Sequence, residues 1–102
     1  MATPHVVVEP PPARGHALRV SLNGRQIAVF NLGTALYALN AECTHVRGPL
    51  DQGRIEGSVV VCPWHGSEFD LASGAVRRGP AVRPVARYPV RIENQKLVID
   101  LP

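Results

Sequence analysis

The chain has 102 residues, 45% hydrophobic and 19% charged, which fits one globular domain with a modest core and neither a disordered segment nor a membrane protein. Its net charge is +3, and its ten arginines and single lysine are spread along the chain, whereas a nucleic-acid binder gathers its cations on one face and interleaves aromatics. No stretch has the roughly 20 apolar residues of a spanning helix, and the Val6–Val8 run is too short for the apolar part of a secretion signal, so a soluble, cytoplasmic protein without membrane or nucleic-acid partners is expected. In that reducing compartment two cysteines point to metal binding or redox chemistry rather than to a structural disulfide.

In chain order, residues 4–16, with four prolines, read as an arm or edge segment. ALRVSL (17–22), Asn23-Gly24 and RQIAVF (25–30) form a hairpin signal, because Asn-Gly tolerates the positive backbone angles of a type I′ turn. ALYAL (35–39) follows. SVVVC (58–62) reads as a buried strand ending in the second cysteine, and EFDL (68–71) with the turn ASG carries the chain back. YPVRIE (88–93) and KLVID (96–100), joined by Asn94-Gln95, predict a second hairpin in which Val90 and Ile92 face one way and Arg91 and Glu93 the other. No segment carries a 3.6-residue period. The expected class is therefore all-β: an antiparallel β-sandwich base, approximately residues 1–40 and 75–102, with a subdomain of two loops inserted at approximately 41–74.

Those loops are CTHVRGPL (43–50) and CPWHGSEF (62–69). Each places a histidine just after a cysteine, so Cys43, His45, Cys62 and His65 supply two thiolates and two imidazoles. Four such donors imply a metal. A single structural zinc is the weaker match, since zinc sites usually begin with a C-x(2–4)-C knuckle that keeps like ligands together. A dinuclear cluster accounts for one sulfur and one nitrogen per loop if each loop gives one ligand to each metal, and in Rieske centres two histidines replace two cysteines on one of the two irons. His5 and His16 lie outside both loops and read as surface residues.

CTHVRGPLDQG and CPWHGSEFDLASG resemble the two cluster loops of Rieske proteins, and GPAVRP (79–84) is similar to the proline-containing third loop that shields the cluster in that family. The resemblance covers roughly residues 17–101. It implies one Rieske 2Fe-2S cluster, with Cys43 and Cys62 on the inner iron and His45 and His65 on the outer one. It also places Gly66 and Trp64 in the cluster-binding loop and Ser67 where high-potential members donate a hydroxyl; Trp64, the only tryptophan, reads as packing beneath the cluster, the favoured reading, or as a partner contact beside His65. Ser67 could instead cap its own turn. Phe69 stands where those members have tyrosine, and Arg47 replaces a residue that is often small. Gly48, Pro49 and Pro63 are expected to shape the loops.

Within the family, the chain lacks the extra cysteine pair and the anchor of the cytochrome-complex proteins and is too short for a catalytic oxygenase domain. It most resembles the ferredoxin components of bacterial ring-hydroxylating oxygenase systems. The resemblance implies a one-electron carrier, not an enzyme, between a flavin-dependent reductase and a terminal oxygenase. The small subunit of an assimilatory nitrite reductase and a structural zinc module for protein contact are the alternatives.

Overall fold

The computed structural model describes residues 3–102, and its regular structure is eleven strands and one short 3-10 turn. The central sheet is antiparallel, in the order β2 (Ala17–Leu22), β3 (Arg25–Asn31), β4 (Leu36–Asn40) and β9 (Arg87–Tyr88). Asn23 and Gly24 both have positive φ, as the hairpin between β2 and β3 requires. β3 carries four consecutive buried residues, Ile27 to Phe30, because the sheet is covered on both faces. Alternation along the strand sends Ile27 and Val29 to one core and Ala28 and Phe30 to the other.

Against the first face packs a sheet ordered β1 (Thr3–Val6), β11 (Lys96–Leu101), β10 (Val90–Glu93). Leu97, Ile99 and Leu101 alternate along β11 toward the core shared with Val20, Ile27 and Ala38. The proline-rich arm begins as an edge strand here, with Val6 opposite Val98. Against the second face packs a small sheet of β5 (Arg54–Glu56), β6 (Val59–Val61), β7 (Glu68–Asp70) and β8 (Val76–Arg78). Its Val60 and Phe69 meet Ala28, Phe30 and Leu39, and both cysteines lie in the same core.

One expected strand divides. YPVRIE is interrupted at Pro89, with Tyr88 pairing with Ala38 in the central sheet and Val90 with Ile99 in the outer one. Proline has no N–H for a ladder, so the chain uses it to turn from one sheet to the next. Ile92, expected to share the inward side of Val90, is half-exposed near the hairpin end.

The β7–β8 turn ties the small sheet to the base. Asp70 Oδ1 accepts from the backbone N–H groups of Ala72 (2.9 Å) and Ser73 (3.1 Å), and Arg77 pairs with Oδ2 at 3.1 Å. Gly74 N–H donates to the Asp70 carbonyl, and Val85 N–H donates to Gly74. Gly74 has φ +80°, and a Cβ there would lie 2.2 Å from the Val85 carbonyl oxygen, so no larger residue fits. Burial opposes ionisation of Asp70, but the Ser73 and Ala72 N–H groups and the Arg77 guanidinium outweigh it and hold the carboxyl below its ordinary value of 3.8. A carboxylate depressed in the folded state adds stability above its unfolded pKa and loses it as pH falls through the folded one. Asp70→Ala is expected to cost about 1.5–3 kcal/mol at pH 7. The difference from wild type in thermal midpoint should be largest at neutral pH and shrink below pH 3.8; a gap that stays constant into acid would rule out the ionic contribution.

Candidate metal centre

The two loops at one end of the small sheet are built alike. The first leaves β4 and closes when Cys43 N–H donates to the Gly48 carbonyl at 2.8 Å, with Arg47 N–H returning to the Cys43 carbonyl at 2.9 Å. The second joins β6 to β7 and closes when Cys62 N–H donates to the Ser67 carbonyl, also at 2.8 Å. Each closure spans from a cysteine to the fifth residue after it and needs left-handed backbone, supplied at Arg47 (φ +61°) in the first loop and at His65 (φ +69°) and Gly66 (φ +76°) in the second. Such conformations are uncommon for arginine and histidine and often mark functional loops.

This geometry puts both sulfurs inside and both imidazoles outside. Cys43 and Cys62 are each 1% exposed, whereas His45 and His65 lie on the surface with ring centroids 5.5 Å apart. His45 N–H donates to Cys43 Sγ at 3.4 Å. Burial pushes the Cys62 thiol up; the Trp64 backbone N–H pulls it back, and the neighbouring Cys43 pushes it up again. Burial beside a second sulfur thus favours the neutral Cys62 thiol unless a cation compensates its thiolate. Among the described residues, no three His, Cys, Asp or Glu side chains converge on a point that one ion could occupy. A paired arrangement of two sulfurs and two nitrogens suits a group with two metal atoms better than a single zinc.

Ser67 joins the second loop to the third. It is the only buried polar residue among those described, and its Oγ accepts the Ala81 N–H at 3.0 Å. The acceptor is thus fourteen residues from its donor, and the hydroxyl does not cap its own turn. That bond leaves the buried oxygen satisfied and ties the second loop to the third. The third loop, residues 79–84, lies across the pair: Thr44 Oγ1 donates to the Arg83 carbonyl at 2.7 Å, and Ala81 is buried with both cysteines. Residue types gave no signal for the Thr44 and Ala81 contacts, because one runs to a backbone carbonyl and the other from a backbone N–H.

Trp64 corrects the expectation. It does not pack beneath the site but stands 51% exposed beside the loops. Phe69 is fully buried and has no hydroxyl to offer. Gly48 is needed for space, since a Cβ there would lie 2.6 Å from Cys62 Sγ and 3.2 Å from Trp64 Cβ. His5 sits in edge strand β1, its Nδ1 bonded to the Thr3 carbonyl, and His16 is exposed; neither joins the site.

The model of the Rieske [2Fe-2S] domain matches residues 6–89, which include both loops. The chain belongs to the Rieske family. Membership brings one 2Fe-2S cluster of Rieske type. The ferredoxin component of the naphthalene 1,2-dioxygenase system of Pseudomonas putida is 33% identical over 87 residues, covering 85% of this chain and 84% of that protein. The ferredoxin of carbazole 1,9a-dioxygenase from Nocardioides aromaticivorans IC177 has a TM-score of 0.88 at 27% identity, covering 95% of this chain and 96% of its own. A putative NADH-dependent nitrite reductase small subunit from Mycobacterium tuberculosis gives a TM-score of 0.87 over 100% of this chain and 97% of that one, but at 18% identity it shares the fold alone.

Gly48→Ala tests the close approach of the loops. The added methyl must displace Cys62 Sγ or the Trp64 side chain, so iron content and visible absorbance per chain should fall well below wild type. Full iron content in the purified variant would show that the loops tolerate the displacement.

Proposed function

We propose that this Rieske protein is a one-electron carrier in which Cys43 and Cys62 hold the inner iron and His45 and His65 the outer iron of the cluster. The observation that carries the reading is the opposite burial of the two donor pairs on matched loops. When bound, the cluster supplies a one-electron couple, and histidine ligation moves Rieske potentials from about −400 mV, typical of plant-type ferredoxins, to about −150 to +300 mV. Ser67, oriented by the Ala81 N–H, offers its proton to the cluster site, while Phe69 offers none. With one hydroxyl donor and no disulfide, the potential belongs in the lower part of that range.

The two ligand loops and the small sheet form the cluster-binding subdomain, approximately residues 41–74 with β8 appended, and the two larger sheets form the base. Trp64 and Gly66 act by shaping and flanking the second loop. The exposed imidazoles make this end the transfer surface. Beside them stand Trp64 and Val82, 51% and 88% exposed, and the Arg47 guanidinium, paired with Glu42 at 3.3 Å. Aromatic and arginine side chains around a small apolar centre suit transient docking of a protein partner.

The named relatives act with dioxygenases, which supports a role between a flavin-dependent reductase and a terminal oxygenase, with chemistry left to the oxygenase. The nitrite reductase alternative rests on shared fold only. Among the described residues no helix is long and apolar enough to cross a membrane, and paired free thiols suit the cytoplasm we assign.

Protein made with ample iron under anaerobic conditions should contain two irons and two acid-labile sulfides per chain, measured chemically; one zinc and no sulfide would overturn the cluster assignment and support a zinc module. Arg47→Glu should leave the absorption spectrum intact yet slow reduction by the reductase several-fold at low ionic strength, with the difference shrinking in high salt, because rim charges act mainly on encounter. Equal rates at low salt would remove Arg47 from the docking surface.

A further inference from the structure

The arginine excess is not evenly neutralised. Of the eight carboxylate side chains, seven are in ion pairs, all except Glu9. Five of the eleven cations have no carboxylate partner among the described residues: Arg14, Arg25, Arg83, Arg87 and Lys96. Two of these, Arg25 and Arg87, line one cavity of about 350 Å³. They come from different places in the chain, the turn into β3 and edge strand β9, and the fold brings them together where the chain turns at Pro89 from the central sheet to the outer one.

The walls of this cavity are divided by chemistry. Ala86, Tyr88, Pro89 and Pro102 supply apolar surface. The Arg25 guanidinium carbon lies 6.0 Å from the Tyr88 ring centroid, and its Nη1 donates to the Tyr88 hydroxyl at 3.4 Å, which positions the cation without neutralising it. Asp100 also lines the cavity and would repel an anion, but its carboxylate is occupied by two hydrogen bonds from Arg91, at 2.9 and 3.0 Å. Asp100 takes no ion pair with Arg25 or Arg87.

We infer that this cavity binds a small amphipathic carboxylate, an anion with a flat apolar body. Guanidinium groups present planar forks of N–H donors that match a carboxylate, and the cavity is of a size that holds small ligands between apolar walls and a few polar groups. The carboxylate pairs with Arg25 and Arg87, and the apolar body rests on the two prolines, Ala86 and the edge of Tyr88. A bare anion lacks the second contact, and a neutral analogue lacks the first. The site is separate from the cluster ligands and draws on none of them.

Calorimetric titration of the cluster-loaded protein at low ionic strength tests this with three probes: benzoate, benzamide and acetate. Benzoate should bind with one-site stoichiometry at least about tenfold more tightly than either of the others, a difference of about 1.4 kcal/mol. Arg25→Gln and Arg87→Gln, both at exposed positions, should each weaken benzoate binding about tenfold or more while leaving the visible spectrum unchanged. Tyr88→Phe, which keeps the ring and removes only the hydroxyl that positions Arg25, should weaken it by a smaller factor. Equal binding of benzoate and acetate would reveal general anion attraction to a basic protein and overturn the proposal. So would benzamide matching benzoate, or unchanged benzoate affinity in both glutamine variants.

Discussion

The burial of β3 on both faces is the constraint from which the rest of the molecule follows. Four consecutive side chains, Ile27, Ala28, Val29 and Phe30, are removed from water, and each large one contributes about 1.5–3 kcal/mol by burial. A strand that is wet on one side would need to alternate polar residues with apolar ones, and this one does not. It therefore requires a second layer on each face. The N-terminal and C-terminal strands supply one, and the small sheet with its loops supplies the other. The metal-site loops are in this sense part of the core rather than an appendage on it, because Cys43 and Cys62 pack in the same cluster as Ala28 and Phe30.

That placement explains why the site can be both rigid and accessible. Each cysteine is fixed at its N–H by a carbonyl five residues on and at its side chain by the core, while the histidines follow on tight turns that carry them to the surface. Two contacts from the third loop, through Thr44 and Ser67, hold the ligand loops from above. Close approach without strain in the wrong place depends on glycine where space runs out, at Gly48, and left-handed backbone where direction must change, at Arg47 and His65. A site designed for fast electron exchange gains from such stiffness, since little rearrangement accompanies the change of charge.

Much of this was readable in the residues. The Asn23-Gly24 hairpin and the β-rich class rest on local chemistry that needs little tertiary help. What was not readable depends on the partner across the interface. β1 lies in a proline-rich arm without alternation and becomes a strand because β11 offers it an edge. β5 and β8 are three residues each, RIE and VRR, and gain their definition from the strands beside them. Residue type alone could not decide between an interior and an exposed place for Trp64, and the fold leaves it half-exposed, with its Cβ against Gly48. Ser67 could be singled out by position, whereas its partner, a backbone N–H from the third loop, could not.

The split at Pro89 carries a further meaning for motion. Because β9 and β10 are one continuous stretch divided between two sheets, neither sheet can release its share without pulling on the other. Pro89 itself helps join them, accepting the Asp100 N–H through its carbonyl at 3.0 Å. Covalent continuity through Pro89 couples opening of the C-terminal hairpin to the edge of the central sheet, so the two are expected to open as one cooperative unit. The strand that leads into the first ligand loop is joined to this unit as well, since Asn40 N–H donates to the Ala86 carbonyl at 2.8 Å.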